Sequence, residues 1–400
     1  MSINRNHERM YPDLLDPAHI PLSLYIHMPW CVKKCPYCDF NSHALPSQAP
    51  FESYIEALLS DAVSQQSLVS NRQIDTVFIG GGTPSLLPIE SFKRLFDGLR
   101  LIYDFAPTCE ITLEVNPGTL EHSPFDEYLN IGINRLSIGV QSFDHNALTA
   151  LGRIHNPDQA SHAIRAARIA GFDRVNADLM YGLPNQNSSK SVNDIQTAID
   201  AGATHLSWYQ LTIEPNTTFY RTPPQLPDEE IMAEIETLGQ SILTKHGFYN
   251  YEVSAWYGPN DAPCRHNLNY WQFGDYLAIG AGAHGKLTLK NHPNYQDGIY
   301  RYQKSRLPKD YLAFENAPKM VNFERIADDN LPFEFMMNAL RLKDGVSADM
   351  FEIRTGLLIS TIDNEMLPLQ HQGLMVLDPL RIAPTRLGFR YVNHLVSQFI

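Results

Sequence analysis

Three cysteines fall within eight residues of this chain, in Tyr25-Ile-His-Met-Pro-Trp-Cys31-Val-Lys-Lys-Cys35-Pro-Tyr37-Cys38. Spacings of four and three residues let one loop wrap three thiolates around a single centre. A four-iron cluster needs four ligands. Three thiolates therefore leave one iron open to a substrate, as a catalytic metal site requires. A zinc knot is the plainer use of crowded cysteines, but closed zinc sites take four protein ligands, and no fourth partner is evident in the sequence. Cys109 and Cys264 stand apart and read as small buried apolar residues.

A second chemical signal is Ile79-Gly80-Gly81-Gly82-Thr83-Pro84. Three glycines remove every Cβ, so backbone N–H and C=O groups can come close to a polar ligand. A tight strand-to-helix turn would use the same residues. Further polar residues sit at the ends of apolar runs: Glu114 in Leu-Glu-Val-Asn-Pro, Gln141 in Ser-Ile-Gly-Val-Gln, and Asp178 in Asn-Ala-Asp-Leu-Met. Arg153 follows Gln141 in Leu-Gly-Arg. One acid at a strand end is ordinarily solvated or caps a helix. Several polar groups converging from successive strands on one edge call for a polar ligand, because buried polar groups must find partners.

The elements that would place these residues are legible as a rhythm. Apolar runs at 22–27, 76–80, 111–115, 135–141, 175–180 and 206–211 alternate with amphipathic stretches at 51–69, 89–103, 157–170 and 189–201. Mostly apolar strands separated by helices imply parallel βα units with both sheet faces covered. Six such units make a partial (β/α) barrel or an open doubly wound sheet, and periodicity does not separate the two. In either, a loop after the first strand lies at the C-terminal sheet edge, where α/β folds place their chemistry. Gly171 and Gly202 are placed as helix-ending glycines, and Asp228 as a helix start. From about residue 317 helical patterns take over, at 332–342, 347–355 and 386–399. The division expected is a short N-terminal extension over 1–20, a barrel with its extension over 21–316, and a small, mostly helical domain over 317–400.

Bulk properties narrow the function. A net charge of −13, from 44 acidic against 31 basic residues, disfavours a nucleic-acid partner, which needs concentrated cations. No run approaches the roughly 18 apolar residues of a spanning helix, and the first residues, with Pro12 and Pro17, lack an apolar signal core. These features point to the cytoplasm, where a reducing medium favours metal ligation over disulfides.

The cysteine motif with its adjoining Tyr37 resembles the radical SAM superfamily. That resemblance implies a barrel of six βα units whose 4Fe-4S cluster, held by Cys31, Cys35 and Cys38, binds and cleaves S-adenosylmethionine (SAM). The glycine loop matches the superfamily's segment that contacts the amino group of SAM. From Tyr25 onward the chain further resembles the oxygen-independent coproporphyrinogen oxidase group. By that likeness Tyr25, Gly81 and Glu114 would face one SAM. Gly82, Thr83, Gln141, Arg153 and Asp178 would line its adenosine side or a second SAM position. The oxidases carry another cysteine two residues beyond the cluster motif, where this chain has Phe40, and they have a longer stretch before Tyr25. These departures match the heme-chaperone branch of the group instead. So does His266-Asn267-Leu-Asn-Tyr270-Trp271, a motif for which that branch implies heme binding. An imidazole can ligate heme iron and aromatics can pack on porphyrin, although the same residues could form one buried stripe. His284, in Gly-Ala-Gly-Ala-His-Gly, is a rival ligand. The resemblance thus implies a heme chaperone with SAM, a 4Fe-4S cluster and heme as cofactors. Its partners would be heme-acceptor proteins such as respiratory enzymes, with a cluster-dependent homodimer and transient membrane association through the acceptor. The alternative is a coproporphyrinogen III dehydrogenase.

Overall fold

In the computed structural model, residues 14–69, 71–118, 125–313 and 320–400 are described. The parallel strands form where expected: β1 (Leu22–Met28), β2 (Gln73–Gly81), β3 (Asp104–Val115), β4 (Arg135–Gln141), β5 (Arg174–Tyr181) and β6 (His205–Gln210). Later come β7 (Tyr249–Asn250), β8 (Ala255–Tyr257), β9 (Asp275–Ile279), β10 (His284–Leu289), β11 (Gly298–Lys304) and β12 (Met320–Arg325). One twelve-stranded sheet runs in the order β12-β11-β10-β9-β1-β2-β3-β4-β5-β6-β8-β7. Its middle, β9 and β1 through β6, is parallel. Both flanks turn antiparallel. Consecutive parallel strands lie side by side, so each crossover places the following C-terminal strand end on the same edge.

Helices α1 (Phe51–Gln65), α2 (Ile89–Ile102), α3 (Pro157–Ile169), α4 (Ser188–Ala201) and α5 (Glu229–Lys245) cover the parallel strands. Their apolar stripes meet Leu24, Ile26, Val77, Ile79, Leu113, Ile138 and Leu179, all fully buried. Each such side chain contributes about 1.5–3 kcal/mol. The ends are set locally. Asn156 and Gln159 form a capping box on α3, Asp228 accepts the Ile231 N–H at the start of α5, and Gly202 ends α4 at φ +104°.

The antiparallel extension is pinned by buried charge. Asp275 meets Arg72 at 2.8 Å and Lys286 at 3.1 Å, and accepts the Thr288 N–H. Lys304 meets Asp61 of α1 at 2.6 Å, both fully buried. A short helix, α6 (Arg265–Trp271), packs against β1, β2 and β9.

A second core gathers α7 (Leu331–Ala339), α8 (Ala348–Thr355) and α9 (Asp363–His371) around Phe335, Phe351 and Leu395, with Phe273 and Ile299 contributed by the extension. The expected boundary between residues 316 and 317 lies outside the described residues, as do the first thirteen. Beyond it the sheet gains one more strand, β12, before helices take over. The terminal helix expected over 386–399 is broken at Tyr391 into two short ones. No described helix is long and apolar enough to cross a membrane.

Candidate functional site

The C-terminal ends of β1 to β6 open into a cleft of about 440 Å³. Cys31, Cys35 and Cys38 line it from the loop after β1, with Tyr37 between them. All three are free, partly buried thiols. Among the described residues no three His, Cys, Asp or Glu side chains are gathered closely enough to hold a single metal ion. Three thiols with no fourth donor do not make a closed zinc site. They do suit a larger cluster that keeps one corner free.

The glycine loop forms the adjoining wall. Gly81 lies at φ +112°, and a Cβ there would stand 2.5 Å from the His27 ring. At Gly82 a Cβ would meet the Trp30 carbonyl oxygen at 2.5 Å. Glycine is thus demanded by packing as well as by backbone angle. Gly82 N–H donates to Met28 O at 2.6 Å, and Thr83 N–H to Trp30 O at 2.8 Å, tying this loop to the cysteine loop.

Glu114 is half-buried at the end of β3, and Gly81 N–H donates to it at 3.1 Å. Burial first, then the charge of Asp178, pushes its carboxyl up to about 8. A partly desolvated acid held by so little favours a cation as its partner. Asp178 accepts from Ser137 Oγ (3.0 Å) and Asn176 Nδ2 (2.8 Å), and burial raises its pKa also. Gln141 takes φ +68° where the β4–β5 register breaks, and Tyr209 O–H donates to its Oε1 at 2.8 Å. Strain of that kind is held at functional edges. Ser142 Oγ and Phe143 N–H both donate to the buried Asp194 of α4, fixing the turn behind Gln141. Arg153 reaches Gly139 O at 2.7 Å and Cys35 Sγ at 3.8 Å, while its buried Nε lacks a partner. An orphaned guanidinium N–H and an acid without a cation fit a zwitterionic, cationic ligand such as SAM, whose amino group would face Glu114.

The cleft therefore brings together Cys31, Cys35, Cys38, Tyr37, Gly81, Gly82, Thr83, Glu114, Gln141, Arg153 and Asp178. Tyr25 is not among the lining residues. Its hydroxyl donates to His27 Nδ1 at 3.0 Å, since His27 Nε2–H is committed to Asn41 O at 2.9 Å. Tyr25 thus supports the wall through His27. Sequence reading overlooked Tyr209, Gln210, Thr212 and Glu214, which line the cleft from the end of β6 and just beyond. The signal was there, because polar side chains follow the apolar run in Ser-Trp-Tyr-Gln-Leu-Thr-Ile-Glu.

His266, Asn267, Tyr270 and Trp271 lie elsewhere, on α6 at the opposite, N-terminal end of the strands. His266 is 1% exposed. Its Nδ1 pairs with Thr76 Oγ1 at 2.8 Å and its Nε2 with Tyr270 Oη at 3.0 Å, beside the Phe78 ring. Burial holds its pKa down at about 3, so the ring is neutral. Arg341 lies over the Trp271 ring. The resemblance implied that His266 ligates heme iron; in this structure its imidazole is engaged within the protein, away from the cleft. Both ring nitrogens are spent inside the barrel floor, and α6 serves as its plug.

Comparison with known proteins agrees with this geometry. The model of the radical SAM superfamily matches residues 25–198, and that of the HemN C-terminal domain matches residues 326–391. The heme chaperone HemW of Haemophilus influenzae is 44% identical over 96% of this chain and 99% of its own. The proteins of the same name from Escherichia coli and Bacillus subtilis are 44% and 30% identical, over 95% and 94% of this chain and 98% and 99% of theirs. The solved structure of coproporphyrinogen III oxidase (HemN) from Escherichia coli superposes with a TM-score of 0.80. It is 23% identical and covers 97% of this chain and 92% of that one, a likeness of fold. A barrel with this cysteine loop defines a radical SAM protein. The chain belongs to that superfamily and, within it, to the HemW family.

Proposed function

We propose that this protein is a cytoplasmic heme chaperone that binds a 4Fe-4S cluster, SAM and heme, and passes the heme to acceptor heme proteins such as respiratory enzymes. The observation that carries this reading is the full-length likeness to relatives named heme chaperones. The cleft supports the cofactor part. Cys31, Cys35 and Cys38 would hold the cluster, and Gly81, Gly82, Thr83, Glu114, Gln141, Arg153 and Asp178 would hold SAM. When bound, the cluster supplies an electron for reductive chemistry on SAM. The chain's own residues do the rest. Glu114 takes a positive charge, Arg153 steadies a thiolate and excludes water behind it, and Tyr209 orients Gln141. A cluster-dependent homodimer and transient membrane association through the acceptor complete the proposal.

Phe40, 61% exposed where the oxidases have a cysteine, argues against decarboxylation of a porphyrinogen. The test uses anaerobically reconstituted protein with SAM and a reductant. With coproporphyrinogen III no protoporphyrinogen is expected, whereas a heme-loaded sample should activate an apo heme protein. Product formation, or failure to transfer heme, would overturn the reading.

A further inference from the structure

We propose that heme docks on the outer rim of the barrel, with His284 as the iron ligand, Arg306 facing a propionate, and Phe40 and Leu307 against the ring. This rests on the chaperone reading and names a surface that the buried His266 does not provide. His284 opens β10 and is exposed. Among the described residues its ring nitrogens have no hydrogen-bond partner.

Three segments meet at this rim. Asn41 Nδ2 donates to Ala281 O at 3.0 Å and to Arg306 O at 2.8 Å, and His43 Nε2–H reaches Arg306 O at 3.3 Å. Gly282 N–H donates to Ser305 O and Lys304 N–H to Ala283 O, each at 2.8 Å. Residues 40–43, 281–284 and 304–307 are thereby held as one surface. On it Phe40 is 61% and Leu307 43% exposed, and the Arg306 side chain is exposed too. Lys34 anchors the Phe40 carbonyl at 3.2 Å and adds a second cation.

Each part answers one part of the ligand. A porphyrin face needs apolar and aromatic contact, and its propionates pair best with guanidinium or ammonium groups. Its iron needs a neutral imidazole with a free nitrogen. Partial burial, then the positive charges of Arg306 and Arg301, lowers the pKa of His284 and keeps the ring neutral. The patch adjoins the cysteine loop through Phe40, so cargo and cluster would share one end of the barrel.

The test is an anaerobic titration of cluster-loaded, full-length protein with hemin, followed in the Soret region. If the wild type takes up no hemin, the chaperone reading itself is overturned. Given stoichiometric uptake, His284→Ala should weaken binding by roughly tenfold or more, the scale of one lost strong contact. It should also shift the ligation-sensitive bands, which added imidazole would restore. Arg306→Ala should weaken binding with those bands unchanged. His266→Gln should keep the wild-type spectrum, and iron content should stay constant throughout. Undiminished affinity with unaltered bands in His284→Ala, or the spectral loss moving to His266→Gln, overturns the assignment while leaving the chaperone reading intact.

Discussion

Glu114 shows how one side chain can make a cleft selective. Its unfolded carboxyl ionises near 4.5, whereas in the fold it keeps its proton up to about 8. An acid with a raised pKa opposes folding increasingly as pH climbs through that interval. Without SAM, stability should therefore decline from pH 4.5 to 8, and Glu114→Gln should flatten the decline in thermal melts. Binding an ammonium group reverses the preference, so SAM affinity should rise with pH across about 8. Isothermal titration at several pH values should show that slope in the wild type and its loss in Glu114→Gln. At Cys35, replacement by Ala should abolish the brown absorbance and the iron and sulfide content while the circular dichroism persists, because that thiol is only partly buried, in a loop outside the sheet. The cysteine triplet, the glycines and the strand-end acids were legible because residue type and spacing announce them. The fate of His266 was not. An imidazole bound to Thr76 and Tyr270 and one reserved for a metal share the same sequence, and only the packing of α6 separates them.

Among the elements, the parallel strands were readable because burial on both faces leaves continuous apolar runs. The antiparallel extension was not. β9 is five residues long and runs into Gly-Ala-Gly-Ala, and β10 carries Lys286 in its interior. Lys286 is tolerated because Asp275, eleven residues away in sequence, faces it and its ammonium lies over the Phe273 ring. Asp275→Ala would strand that ammonium and loosen Arg72, a loss of about 3–5 kcal/mol. Urea unfolding should register a lower midpoint with little change in slope. The break in the terminal helix falls beside a nonlocal contact. At Gly388 a Cβ would come within 1.9 Å of the Leu374 carbonyl oxygen, so the turn just before the break is packed against that loop.

The molecule as a whole is built on two apolar cores joined through the extension. Phe273 and Ile299 belong to the second core, while Val253 N–H to Arg341 O and Lys343 N–H to Tyr251 O, each 3.0 Å, stitch the backbones together. A chain ending at Arg325 would expose Phe273 and Ile299 at once. It is expected to aggregate, and the full chain to melt in a single calorimetric transition. Two well-separated transitions would show that the cores fold independently. The plugged floor has a last consequence, for traffic. With His266, Arg135 and Glu110 filling the lower end of the barrel, small molecules come and go over the cysteine loop, through the same doorway beside which heme would dock. Cargo resting there would act as a door, so heme-loaded protein should release SAM more slowly than heme-free protein, tying the residence of one to the presence of the other without any change of shape.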